Sequence, residues 1–556
     1  MSARVGVSAD RPTSPVASVN TLGPMLRLRL RRDRVQLPIW IAVFAGLALL
    51  AAVAVAGSFG TADEREALVR IAVGSPAILI FRGVPQGADV DAVVFFLIFA
   101  FLATLVAFMS TFLAVRHSRA EEEFGRAELI AATPAGRIIP VMATAVHGVG
   151  ASLAAGVAVT LGFLVAGLDG AGSVTSGAAI AGTGIAFLGV GLLAGQLMRT
   201  SRGANGLAAA LIGGAYALRA AGDAGGTPSA DGLSMTSAWP SWLSPIGWGQ
   251  QTAAFTADQP APLLLDLALA AVLFAVVGLL QSSRDIGSSV IAERAGPANA
   301  SRTLGGSLGL AWRLQRPAIV GWALAGLVFG ILAGTVGDTV VELVESNSQF
   351  GAVLAGLGGG RGSIIDLFTA TIFGIIGVIA AAAAIQAMIR MRQEEANGSA
   401  ELLLALPLHR SRWILDYLLV GAVAVILVLA AAVAGAAGGL TRSADSADRV
   451  ASVAASGLAQ APAALLILAI AALLFALVPR LSIGLSWGVL LASLFIGQFG
   501  ELFGLPDWLR TLSPFTHTPA IGAADVDWSG AWWMLGLAMV VCGVAVVAVR
   551  RRDLAL

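Results

Sequence analysis

Apolar residues run through this chain in long blocks, with polar and charged positions confined to the stretches between them. A helix needs about 20 apolar residues to cross the hydrocarbon of a bilayer. Segments of that kind lie near 37–57, 92–115, 138–166, 173–198, 204–220 and 263–281, then near 318–336, 366–389, 413–436, 455–478, 483–499 and 531–549. The pattern predicts an all-α polytopic membrane protein of twelve transmembrane helices, six in each of two halves. The expected organisation is a disordered cytoplasmic lead over 1–20, a first half over 21–283, a cytoplasmic linker over 284–301 and a second half over 302–556.

The polar stretches reveal a duplication. Residues 119–137 read RAEEEFGRAELIAATPAGR and residues 392–410 read RQEEANGSAELLLALPLHR, and ten of the nineteen aligned positions are identical. The matched pairs are Arg119/Arg392, Glu121/Glu394, Glu122/Glu395, Gly125/Gly398, Ala127/Ala400, Glu128/Glu401, Leu129/Leu402, Ala132/Ala405, Pro134/Pro407 and Arg137/Arg410. Unrelated segments of this length share about one or two residues, so the repeat governs the architecture. Upstream, 21–34 (TLGPMLRLRLRRDR) and 303–316 (TLGGSLGLAWRLQR) form a second matched pair, a basic amphipathic element suited to the membrane surface or to flanking the span that follows. Trp40 and Trp322 continue that match, and Arg284-Asp285-Ile286 after the sixth span answers Arg552-Asp553-Leu554 after the twelfth. The first apolar run is not read as a cleaved signal: its basic lead is too long, it fills a whole bilayer, and its counterpart sits in mid-chain.

Composition narrows the chemistry. With 57% hydrophobic and 12% charged residues and a mean hydropathy of +0.85, the chain departs from soluble domains, which carry about 25% charge. All 34 basic residues are arginine. Without lysine there is no Walker A phosphate grip, no Schiff base and no lysine general base. Cys542 is the only cysteine, which excludes intrachain disulfides and cysteine metal sites. A net charge of +1 with charges segregated by position implies no nucleic-acid partner.

Arginine placement predicts orientation. With the amino terminus inside, the cytoplasmic stretches hold the cluster at 27–34, Arg116, Arg119, Arg126, Arg137, Arg199, Arg202, Arg284, Arg294, Arg302, Arg313, Arg316, Arg390, Arg392, Arg410, Arg412, Arg480 and the run at 550–552, while the outer loops keep few. Both termini are then cytoplasmic. Because each half has an even number of spans, the halves are expected to point the same way about an axis along the membrane normal. In the outer loops, Trp239, Trp242, Trp248 and Trp508 fit either an interfacial aromatic belt or a re-entrant pair closing the outer mouth.

Polar residues inside the apolar runs are few: His147, Asp266, Gln281, Gln386 and Asp416. Intramembrane ionisable groups invite functional suspicion, yet a lone histidine on an Ala/Gly-rich helix serves equally as an interhelical hydrogen-bonding group. No HExxH, metal-ligand spacing or nucleophile elbow occurs, so neither a metal site nor catalysis by this chain is expected. The repeated stretch is different. It describes a short acidic helix, a glycine break and a second short helix, with a proline turn before the next span. Two such elements about a pseudo-twofold axis suit a symmetric pair of soluble partners.

The paired EExxGxAELxxxxP segments, the surface elements before each half and the outer loops in which Pro240, Trp242, Leu243, Ser244 and Pro245 answer Pro506, Trp508, Leu509, Ser513 and Pro514 resemble the permeases of type-two ATP-binding-cassette exporters. The fused form is similar to actinobacterial polyketide-antibiotic (tetronasin-type) exporters. The resemblance implies two copies of a separate ATPase subunit, which would carry ATP and Mg, and no cofactor in this chain. It implies partner coupling through Arg119, Glu121, Glu122, Gly125, Glu128, Pro134 and Arg137, and through Arg392, Glu394, Glu395, Gly398, Glu401, Pro407 and Arg410. It further implies a path for a hydrophobic or amphipathic small molecule along the second and fifth spans of each half, near Phe95, Phe96, Phe99, Phe368, Phe373, Trp487 and Phe495, in a bacterial plasma membrane. Ala396, Asn397 and Ser399 depart from Glu123, Phe124 and Arg126 of the first copy, which puts equal docking in question. A proton-coupled drug exporter, a membrane-embedded enzyme and a membrane scaffold are the rival readings.

Overall fold

In the computed structural model the described residues are 15–133, 136–291, 298–299, 301, 304–346, 364–440, 446–499, 506–519, 521 and 526–553. The chain is an all-α polytopic membrane protein, divided into two compact units, Met1–Ala295 and Gly296–Leu556.

The first unit begins with α1 (Pro15–Arg32), whose start precedes the expected boundary at residue 21 because a proline is well placed in a helix's first turn. Then come α2 (Gln36–Ser58), α3 (Ala62–Gly74), α4 (Pro76–Arg82) and α5 (Val90–Arg116). The repeated stretch forms α6 (Arg119–Glu123) and α7 (Arg126–Ala131). They are followed by α8 (Ile139–Val165), α9 (Gly170–Leu197), α10 (Ser201–Ala224), a two-residue β-ladder pairing Thr227–Pro228 with Met235–Thr236, α11 (Pro245–Gln250) and α12 (Leu263–Ser283). Helix α9 lies at the centre, packed on α5, α8 and α12, while α2 packs on α8.

The second unit repeats the plan with α13 (Ser307–Ser346), α14 (Ile364–Ala396), α15 (Ser399–Leu404), α16 (Arg410–Leu440), α17 (Ser446–Leu477), α18 (Ser482–Phe499), α19 (Asp507–Arg510) and α20 (Ser529–Arg551). Here α17 takes the place of α9, packed on α14, α16 and α20, and α13 packs on α16. Lipid supplies no hydrophobic drive between helices, so association rests on close backbone approach at small residues. At Gly326, Gly330 and Gly334 an added Cβ would lie 2.6, 2.0 and 2.2 Å from the carbonyl oxygens of Val428, Ala432 and Ala436. This i, i+4, i+8 row is what lets α13 and α16 touch along three turns.

Ten helices among the described residues are long and apolar enough to cross a membrane. Of the other two expected spans, α10 carries Arg202, Arg219 and Asp223, and the apolar stretch of α18 is the shorter Ser482–Gly497. Arg219 and Asp223 are fully buried at the end of α10 and pair at 3.2 Å. Arg219 also donates to the carbonyls of Leu79 and Ile80, and Asp223 accepts from Ser237 (2.6 Å) and Gln250 (3.1 Å), so a buried ion pair ties α10 to α4 and α11.

The units differ at their entrances. In the first, α1 and α2 are separate helices broken at 33–35; in the second, α13 runs unbroken for 40 residues. By the register of the matched arginines, Gln315 stands where the first unit has Asp33.

Candidate functional site: the twin connecting segments

Each repeated stretch folds as a helix, a glycine and a second short helix. Gly125 and Gly398 both sit at φ +72° with nothing within 4 Å of an added Cβ, so the left-handed backbone and not crowding calls for glycine there. That residue reverses the chain between α6 and α7, and between the end of α14 and α15.

In the first segment the Glu122 carboxylate accepts from Arg119 (2.8 Å), from Arg284 just beyond α12 (2.6 Å) and from the Gly287 amide (3.3 Å). Arg119 is 1% exposed and also donates to the carbonyls of Gly195 and Ser288. Arg284 has a further partner in Gln196 (2.9 Å), which itself donates to Gln281 at 2.9 Å. Arg137, from the far end of the repeat, reaches the Arg284 carbonyl.

The second segment builds the same knot. Glu395 accepts from Arg392 (3.3 Å) and from Arg552 just beyond α20 (3.0 Å), and Arg410 donates to the Arg552 carbonyl. Glu395 is completely buried, and the Arg552 guanidinium lies 4.7 Å from the Phe475 ring centroid. In each unit a matched arginine of the repeat and the matched arginine after the last helix thus converge on one carboxylate, and a second arginine of the repeat holds the latter's carbonyl.

The remaining predicted residues divide by exposure. Glu121 takes both guanidinium nitrogens of Arg126 at 2.9 Å and also pairs with Arg32 of α1. Its counterpart Glu394 is buried beside Arg390, 3.5 Å away. Glu128, Glu401 and Pro407 are exposed, while Pro134 lies outside the described residues. Beside them stand exposed apolar side chains: Phe124 at 66% and Leu129 at 74% in the first segment, Leu402 at 77% and Leu406 at 61% in the second. Contiguous exposed apolar groups of this kind mark interaction surfaces.

The aromatic residues expected along a path are placed differently from one another. Phe95, Phe96 and Phe99 are buried; Phe95 stacks on Phe99 at 4.7 Å and meets Phe255 edge-on at 6.4 Å. Phe373 is fully buried, Trp487 half-buried and Phe495 half-exposed, and the side chain of Phe368 is outside the described set.

One cluster escaped sequence reasoning. Asp33, at the break between α1 and α2, accepts from His117 Nε2 (2.6 Å) and His147 Nε2 (2.9 Å), and Arg116 lies 3.0 Å away. A tetrahedral metal with bonds of about 2.0–2.1 Å holds its ligand atoms roughly 3.3 Å apart. These separations are shorter and two arginines, Arg29 and Arg116, stand beside the cluster, so the arrangement is that of hydrogen bonds locking three elements together. Burial disfavours the Asp33 charge, but the two imidazole donors and Arg116 outweigh it and hold the carboxyl well below the usual carboxylate range. His147 therefore serves as an interhelical hydrogen-bonding group. The cavity between α1 and the first segment, about 60 Å³, has room for a water or two and not for a drug-sized molecule.

Of the other polar residues in the apolar runs, Gln281 joins the first knot, Asp416 pairs with Arg412 at 3.0 Å, and Gln386 is exposed. Asp266 is buried, with no hydrogen bond to either carboxylate oxygen among the described residues.

A family model described as "Multidrug efflux system permease Rv1217c, C-terminal domain" matches residues 304–550. The whole chain is similar to the multidrug efflux system permease protein Rv1217c of Mycobacterium tuberculosis (strain ATCC 25618 / H37Rv), 34% identical over 537 residues that cover 96% of this chain and 95% of that relative. A duplicated helical membrane chain that matches such a relative almost from end to end belongs to the multidrug efflux system permease family.

Proposed function

We propose that this chain is the transmembrane permease subunit of an ATP-driven exporter that moves hydrophobic or amphipathic, drug-like or lipid-like small molecules out of a bacterial cell. Two copies of a separate ATPase would supply ATP and Mg chemistry, one docked on each connecting segment at the cytoplasmic face. The observation that carries this reading is the pair of matched segments. Each has its backbone reversed at an equivalent glycine, each is fastened by the same arginine–glutamate set, and each presents exposed apolar and acidic side chains. A solvated connecting loop needs neither the knot nor the exposed leucines.

Absence of lysine fits a subunit that leaves nucleotide binding to another chain. Within the family, the fused two-half form supports the narrower likeness to polyketide-antibiotic exporters. Closure of the paired ATPases would push both segments and tilt the helices attached to them, giving alternating access to a path between inside and outside.

The test is purification of the tagged full-length chain from its native membranes. A Walker-containing subunit at two per permease, and drug efflux abolished by a hydrolysis-dead partner, is the expected result. Efflux that survives loss of ATP and collapses with a protonophore would replace this reading with a proton-driven transporter.

A further inference from the structure

If a partner grips the connecting segments, the buried position of their most strongly paired acids assigns those acids a different task. We propose that Glu122 and Glu395 face no partner, and that each is the centre of an ionic strut fastening its segment to the end of the last helix of its own half, with Arg284 and Arg552 as positioning residues for coupling. This rests on the docking reading above.

The side chains decide it. The side chains of Glu122 and Glu395 are 8% and 0% exposed, against 74% and 77% for Leu129 and Leu402 on the short helix past each glycine. Both oxygens of Glu122 are already occupied by Arg119, Arg284 and the Gly287 amide, leaving little capacity for an outside donor. The strut is built twice, from residues far apart in sequence: 122 with 284, and 395 with 552. In each unit the same arginine also receives a backbone bond from the end of the repeat, Arg137 to Arg284 and Arg410 to Arg552.

Separating such charges in a buried setting strands both, so segment and last helix move as one body. By covalent connection alone, a push on α6 and α7 reaches α5 and α8; the strut adds α12. In the second unit it adds α20 in the same way. Partner recognition then falls to the exposed faces, Phe124, Glu128 and Leu129 in one segment and Glu401, Leu402 and Leu406 in the other.

The experiment uses the full chain co-expressed with its ATPase. Arg284→Ala and Arg284→Lys are each assayed for drug efflux and for ATPase co-purification. Expected for Arg284→Ala are undiminished co-purification and efflux at least tenfold below the parent, with efflux largely regained in Arg284→Lys, which keeps a positive charge facing Glu122. Leu129→Asp is expected to do the reverse, losing the ATPase. The proposal is overturned if Arg284→Ala loses the ATPase, if it exports as well as the parent, or if Arg284→Lys exports no better than Arg284→Ala. A parent chain that captures no ATPase at all sinks the docking reading itself and this inference with it, an outcome distinct from those three.

Discussion

The two knots share a plan and differ in make-up. In the first half, Glu122 is met by three donors, and Arg284 behind it spends its remaining nitrogens on Gln196 and the Ser288 carbonyl, while one terminal nitrogen of Arg119 is buried without a hydrogen bond among the described residues. In the second half, Glu395 is more deeply buried, and Arg552 and Arg392 meet one of its oxygens at 3.0 and 3.3 Å. The Nε and one terminal nitrogen of Arg552 are buried without a hydrogen bond among the described residues, and an aromatic face takes up that side of the guanidinium. Cation–π attraction returns about 0.5–2 kcal/mol, less than the charge-assisted hydrogen bonds it stands in for, each about 1.5–3 kcal/mol. Duplication therefore kept the topology of the clamp and changed its make-up: hydrogen bonds surround Arg284 in the first half, and an aromatic face lies beside Arg552 in the second.

The largest expected effect is a direct comparison of the two acids. Glu122→Ala should cost about 3–5 kcal/mol, the range for breaking a buried, hydrogen-bonded charge cluster by removing one member. Glu395→Ala should fall in the same range, since it too strands buried arginines, Arg392 and Arg552. Reversible unfolding of each purified variant in detergent reads the two losses. A loss below about 1 kcal/mol for either acid, the size of an exposed pair, would mean that its knot is not a buried tie.

A second difference lies where the halves enter the membrane. The first has a separate surface helix locked by Asp33, His117 and His147; the second has one continuous helix with Gln315 at the matching position. Asp33→Asn should destabilise the protein by about 1.5–3 kcal/mol at pH 7, as hydrogen bonds to a charged group are weakened. Because the folded carboxyl titrates below its unfolded value, its contribution is fully present above about pH 4 and lost as pH falls through the folded value. The gap between wild type and variant should therefore narrow below pH 4, as followed by thermal unfolding across that range. A gap that stays constant would show that Asp33 acts by shape and not by charge.

Much of this was legible in the chain. Hydropathy placed the apolar helices to within a few residues for most spans, because the membrane demands uninterrupted apolar length. The repeat singled out Arg119, Glu122 and Arg137 with their counterparts, and the matched ends singled out Arg284 and Arg552. Nothing in either pattern says that 122 meets 284, since a contact across 162 residues leaves no periodic trace. The Asp33 cluster was hidden for the same reason: two polar residues just past the ends of α1 and α5 and a histidine within α8 become a site only when the three helices come together. The merging of surface element and span into α13 also had no local signal, because both halves carry the same basic, amphipathic run there. Its break in the first half depends on a partner, His117, that the matching position Arg390 does not supply.

The smallest expected change in stability bears most directly on whether the two handles are equal. Arg126 forks onto Glu121 and lies 4.8 Å from the Phe124 ring, but its side chain is 41% exposed, so water and salt weaken both contacts. Exposed pairs of this kind are worth about 0.2–1 kcal/mol. At the corresponding positions the second segment has Ser399 and Asn397, with neither fork nor ring. Arg126→Ser together with Phe124→Asn converts the first docking face to the second's chemistry while leaving the knot at Glu122 untouched. Unfolding should shift by no more than about 1 kcal/mol, and ATPase co-purification is the readout that matters. A marked loss of partner would show that the first face carries most of the docking and that the halves are pushed unequally. Unchanged capture would show that Leu129 and Leu402, the exposed residues the two segments share, are enough to hold the partner, and that the two handles are gripped alike.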